Sequence, residues 1–175
     1  MLTILALAST LLLLEPPAAT PPADRSKSAA TAEDKIPASL FLKEKPKDAK
    51  DVREAKKSAK VDEKIVLTGR IGGRKEPFTA KRAVFTFVDP SVKACSEEPD
   101  DKCTTPWDFC CESKESLMAS MATVQIVGPD GKPLKVTAEG AGGMKPLSKV
   151  TVVGKVKSLG KEGELVVLAT GIFVE

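Results

Sequence analysis

The spacing of apolar residues changes character twice along this chain. Residues 1–14 are an almost unbroken apolar run, MLTILALASTLLLL. From Glu15 to about Lys60, apolar side chains thin out among Pro, Ala, Lys, Asp and Glu. From Ile65 onward they return in short runs and alternations separated by Gly, Pro and Asp, the pattern of strands and turns. This rhythm predicts strands over 65–71, 83–88, 123–127, 150–156 and 165–174. Gly72-Gly73 ends the first and Asp89-Pro90 the second. Gly128-Pro129-Asp130-Gly131 predicts a hairpin turn into 134–137. The segment 165–174 is apolar on both faces, as a barrel or central strand is. In this half only 112–121 has helical composition. Short antiparallel strands at close spacing make the expected class all-β, a small barrel or sandwich.

The leading run has the length of a signal-peptide core and falls short of the roughly 20 residues a spanning helix needs. Ala18, Ala19 and Ala23 follow it, small residues that suit a signal peptidase, although no Lys or Arg precedes the run. The expected organisation is a signal peptide over 1–23, a charged and largely disordered linker over 24–61, and a β-domain over 62–175 with an insert at 89–122. The expected location is therefore periplasmic or secreted, with no transmembrane span in the mature chain. Two pieces of the linker stand out. Ile36, Leu40, Phe41 and Leu42 can dock on the domain, and 47–60 offers a thin helical stripe of Ala49, Val52, Ala55 and Ala59.

Val150-Thr151-Val152-Val153-Gly154-Lys155-Val156 is followed by a Gly-containing turn and then Leu165-Val166-Val167-Leu168-Ala169-Thr170-Gly171-Ile172. Together with Val66-Leu67-Thr68-Gly69-Arg70-Ile71 upstream, this resembles strands 1, 4 and 5 of OB-fold barrels. Their glycines let strands bend as the barrel closes. The stretch from Gly69-Arg70-Ile71-Gly72-Gly73 to Pro106-Trp107-Asp108-Phe109-Cys110-Cys111-Glu112 also resembles a group of uncharacterised exported bacterial proteins. The resemblance covers roughly 62–175 and rests most specifically on the Trp-Asp-x-Cys-Cys element. It implies an OB-like antiparallel barrel with a cysteine-rich insert carrying one short helix. It implies no activity, because such barrels host unrelated functions.

All four cysteines, Cys95, Cys103, Cys110 and Cys111, fall in that insert, spaced C-x7-C-x6-C-C. In an oxidising compartment an even count in a compact insert reads as two disulfides. A bond between the neighbours Cys110 and Cys111 closes a strained ring, so Cys95 and Cys103 are each expected to pair with one of them. Each bridge is worth about 2–4 kcal/mol when unstrained. A metal site is the rival reading, but the insert lacks the C-x2–4-C pair of zinc sites. Redox chemistry is the second rival. It is disfavoured by the absence of C-x-x-C and by acidic surroundings, with Glu97, Glu98, Asp100, Asp101, Asp108 and Glu112 set against Lys102.

Charge and composition narrow the function. The chain has no histidine, so neither a Ser-His-Asp nor a Cys-His site can be built. Ser158-Leu159-Gly160-Lys161 matches S-x-x-K, but in a turn and without a K-T-G partner. The chain is therefore read as a non-enzymatic binding or envelope-associated module with no cofactor, the alternative being a thiol or metal protein. A net charge of +3 does not by itself argue for nucleic acid. Arg70, Arg74, Lys75, Lys81 and Arg82 cluster around the first strand connection, which borders the binding face of OB barrels. Trp107 is either a lid on the insert or a platform for a base or sugar. The partner classes open to this surface are a polyanion, a glycan or an envelope protein.

Overall fold

Period-two alternation buries one face of each strand. In β2 (Lys64–Ile71), Ile65, Leu67 and Ile71 point inward and the residues between them are more open. The same logic sends Phe85 and Phe87 of β3 (Val84–Val88) to the interior, where their ring centroids lie 6.5 Å apart. The computed structural model describes residues 35–100, 102–160 and 163–175. The expected signal peptide and the expected linker up to residue 34 lie outside the described residues.

The remaining strands are β4 (Met121–Gln125), β5 (Lys149–Leu159) and β6 (Leu165–Val174). Their order, β2-β3-β4-β6-β5, closes on itself because β5 also pairs with β2 along seven residue positions. The result is an OB-like five-stranded barrel. It is mixed rather than wholly antiparallel, because β4 and β6 run parallel, Ala122 to Gln125 against Leu165 to Leu168. The cause is topological. The chain crosses the barrel end between β4 and β5, so the β5–β6 hairpin brings β6 alongside β4 in the same direction. Leu67, Ile71, Phe85, Phe87, Val124, Val152, Val167 and Ile172 form the fully buried centre. Gly154 sits at a register shift between β5 and β6, where a Cβ would stand 2.4 Å from the Leu168 carbonyl oxygen. Only glycine lets the two backbones come so close.

Several expectations shift in detail. The third strand starts at Met121 rather than Thr123, and the helix preceding it, α2 (Lys114–Ser120), is shorter than 112–121. Ser113 sets the helix start by accepting a hydrogen bond from the Ser116 N–H. The predicted strand at 134–137 does not form. A single bridge, Val127 to Pro133, follows the turn: the Gly128 N–H donates to the Lys132 carbonyl and the Leu134 N–H to the Ile126 carbonyl, after which the chain leaves the ladder. Leu134 instead caps the barrel and accepts from the Ala83 N–H.

From Ile36 on, the segment read as linker is a strap laid on the barrel. Ile36 is buried, Phe41 bridges Ile172 and Leu42 donates its N–H to the Ile172 carbonyl. A two-residue strand, β1 (Lys50–Asp51), runs parallel to β2 and leads into α1 (Val52–Ser58). The thin stripe places Val52 and Ala55 in the core. Among the described residues no helix is long and apolar enough to cross a membrane.

Candidate functional site

The insert between β3 and β4 has its own small core: Val88, Val92, Ala94 and Phe109, with Leu117, Met121 and Leu147 against them. It is pinned to the barrel and its strap at three points. Arg70, whose side chain is 11 % exposed, forms a two-armed pair with Glu97 and donates to the Val92 carbonyl. Its guanidinium also lies 5.9 Å from the centre of the Phe109 ring. At the base of the insert, buried Asp89 accepts from the Arg53 N–H of α1 and from the N–H and hydroxyl of Ser91. At its far side the Trp107 carbonyl accepts from the Gly73 N–H at 2.8 Å, and its indole N–H donates to the Lys75 carbonyl at 3.0 Å. Gly72 makes that approach feasible, since a Cβ there would lie 2.3 Å from the Trp107 oxygen.

Three of the four cysteines converge. The Cys110 sulfur lies 3.6 Å from that of Cys95 and 3.5 Å from that of Cys103. No two sulfurs stand at the roughly 2.05 Å of a disulfide. A carboxylate oxygen of Asp108 joins the three sulfurs, and these four ligand atoms lie within 4.8 Å of one another. Cys95 is buried, Cys103 and Asp108 are half-buried and Cys110 is exposed, so the cluster opens on one side to solvent. Cys111 is exposed and lies outside this group.

Backbone geometry produces the convergence. Phe109 is in the left-handed region, φ 56° and ψ 39°, which costs a non-glycine residue roughly 1–2 kcal/mol. Burial of its ring holds it there. The reversal at Phe109 folds Cys110 back beside Asp108, whose Oδ1 accepts the Cys110 N–H at 3.0 Å while Oδ2 accepts the Thr105 hydroxyl at 2.8 Å. The thiols do not ionise alike. The Thr105 N–H, followed by the Cys110 thiol, holds the Cys103 pKa below its ordinary value. Thiol–thiol hydrogen bonding with Cys103, and then with Cys95, pushes the Cys110 pKa far up. One negative charge in the trio suppresses the next unless a cation arrives.

The basic cluster divides into separate places. Arg70 is committed to the insert. Arg82 lines a depression at the Gly128–Pro133 turn. Lys75 and Lys81 meet Trp107 in a groove of about 470 Å³ at the barrel mouth, with Phe78, Thr137 and Pro146 among its walls. Glu76 and Glu139 share that groove, so its lining is balanced rather than basic. Arg74 is exposed outside it. Phe78, Phe85 and Phe87 are all buried, which leaves Trp107 as the aromatic of this face.

Sequence reasoning overlooked Asp108 as a member of the cysteine cluster. Its signal is the D-x-C spacing of Asp108 and Cys110, which no C-x2–4-C pattern contains. No family model and no curated protein matches the chain.

Proposed function

We propose that this chain is an exported, non-enzymatic binding module that holds a glycan in the groove between Trp107 and the first barrel loop. The observation that carries the reading is the meeting of Trp107 with Lys75 and Lys81 at the mouth of an OB-like barrel. In such barrels the loop between the first two strands borders the ligand face, and oligosaccharides are among the ligands. An indole face suits a sugar ring, and lysine and glutamate side chains suit its hydroxyls. The balanced lining and the buried phenylalanines disfavour a nucleic-acid strand, which wants several stacking aromatics in a positive groove. Export rests on the apolar run 1–14 and the small residues after it. The resemblance of the Trp-Asp-x-Cys-Cys element to that of exported bacterial proteins supports the same reading.

The test is a glycan array together with titrations followed by the fluorescence of Trp107, the single tryptophan of the chain. Saturable binding of envelope-type oligosaccharides, lost in Trp107→Ala, is expected. Binding of polyanions alone, or glycan binding indifferent to Trp107, overturns the assignment of the groove. A signal sequence retained on chain recovered from the cytosol overturns export.

A further inference from the structure

Cys110 stands between two sulfurs rather than opposite one. A disulfide uses two sulfurs at about 2.05 Å and leaves a third as a bystander. Ligands at the corners of a zinc tetrahedron, with Zn–S about 2.3 Å and Zn–O about 2.0–2.2 Å, stand roughly 3.5–3.8 Å from one another. The separations of 3.6 and 3.5 Å around Cys110 are of the second kind. We propose that Cys95, Cys103, Asp108 and Cys110 form a tetrahedral site for a zinc ion.

The donor set selects the metal class. Three thiolates favour a soft or borderline cation, and the carboxylate makes Zn²⁺ a better match than Cu⁺. Zn²⁺ replaces the protons of the three thiols. Three S–H bonds break, three Zn–S bonds and one Zn–O bond form, and three protons pass to solvent. No electron moves, so the step needs no oxidant. The Cys110 N–H and the Thr105 hydroxyl already orient the Asp108 carboxylate, in the manner of the outer partners that fix metal ligands. Each carboxylate oxygen accepts one of these bonds and keeps a lone pair for the ion. The ion fastens the turn at Cys95 to the turn at Cys110, so it also fixes Trp107, which adjoins Asp108.

The experiment uses the full-length chain, reduced, stripped of metal by a chelator, and titrated with Zn²⁺ against a chromophoric competitor and separately with Co²⁺. One zinc per chain is expected, with the intense visible bands of tetrahedral cobalt and a thiolate-to-cobalt charge-transfer band. Cys103→Ser and Cys110→Ser are each expected to weaken zinc by at least ~100-fold, Asp108→Asn by ~10-fold or more, and Cys111→Ser not at all. Circular dichroism checks that each variant folds. Should a serine variant unfold, Asp108→Asn and the cobalt spectrum of the unmutated chain still decide. Zinc held no more tightly by the unmutated chain than by Cys110→Ser overturns the site. So does a native mass spectrum of untreated chain showing disulfides in place of metal. No arm involves a sugar, so this outcome is independent of the groove.

Discussion

Arg70 of β2 grips Glu97 of the insert with both arms of its guanidinium, Nη2 lying 3.2 Å from Oε2. A third bond runs from the same side chain to the Val92 carbonyl. The contact joins barrel to insert across 27 positions of sequence. Removing Arg70 strips charge-assisted bonds from a mostly buried cation, whereas removing the Glu97 charge affects a side chain that is 44 % exposed. Arg70→Ala is therefore expected to lower unfolding stability by about 2 kcal/mol, and Glu97→Gln by less than ~1 kcal/mol. Urea denaturation followed by far-ultraviolet circular dichroism measures both. Equal losses in the two variants contradict this account.

Asp89 supplies the acid sensitivity. Its burial alone raises the carboxyl pKa. The Arg53 N–H, the Ser91 hydroxyl and N–H, and the charge of Arg53 together outweigh that, and the net shift is downward. A carboxyl whose folded pKa is depressed stabilises fully above its unfolded value, about 3.9, and loses that contribution as pH falls through the folded value. Glu97 is shifted the same way, chiefly by its bond from Arg70. The chain is therefore expected to lose stability below about pH 4, and Asp89→Asn to flatten that fall. Melting temperatures measured from pH 3 to 7 on both proteins check it. Parallel curves for the two would show that Asp89 carries no linkage.

Much of the barrel could be read from sequence because its core obeys a local rule. Phe85 and Phe87, or Leu67 and Ile71, announce an inward face by spacing alone. The parallel β4–β6 pair could not be read, because it is set by how the barrel closes and not by any neighbouring residue. The strap is legible in pieces: Ile36, Phe41 and Leu42 stand out as docking residues and 47–60 as a thin helical stripe, but only Val52 and Ala55 of α1 are buried among charged residues, so the stretch as a whole reads as linker. Arg70 belonged by sequence to a basic loop. Glu97, its actual partner, is brought to it by the folding of the insert. The cysteines were visible as a group, but their convergence with Asp108 depends on a left-handed Phe109, which no propensity suggests.

Barrel closure places a demand on Gly154. A methyl group there meets the Leu168 carbonyl oxygen at 2.4 Å and a Val167 methyl at 2.6 Å, and neither backbone can retreat without breaking the β5–β6 ladder. Gly154→Ala is expected to cost about 1–3 kcal/mol, and Gly154→Val more. A turn glycine with open surroundings, Gly131, has φ +73° and nothing within 4 Å of a Cβ. Gly131→Asn is expected to cost under ~1 kcal/mol, because asparagine tolerates left-handed backbone. Thermal unfolding of the two variants side by side separates steric closure from turn conformation. Comparable losses would remove the steric argument.

Trp107 contributes in two separable ways, as a ring facing the groove and as a donor to the Lys75 carbonyl. Trp107→Phe keeps an aromatic face and loses the donor. Trp107→Ala loses both. The hydrogen bond is worth about 1 kcal/mol to the fold, so Trp107→Phe is expected to destabilise the insert by about that much, and Trp107→Ala, which also removes the half-buried ring, by more. Ligand affinity is expected to distinguish them. Stacking on an aromatic is worth about 1–3 kcal/mol, so Trp107→Ala should weaken a groove-bound sugar by roughly 5- to 150-fold, while Trp107→Phe retains most of the affinity. Calorimetric titration gives the affinities and thermal unfolding gives the stabilities. Should Trp107→Phe bind as poorly as Trp107→Ala, the donor to Lys75 and the loop it holds, rather than the ring face, would be what the ligand requires.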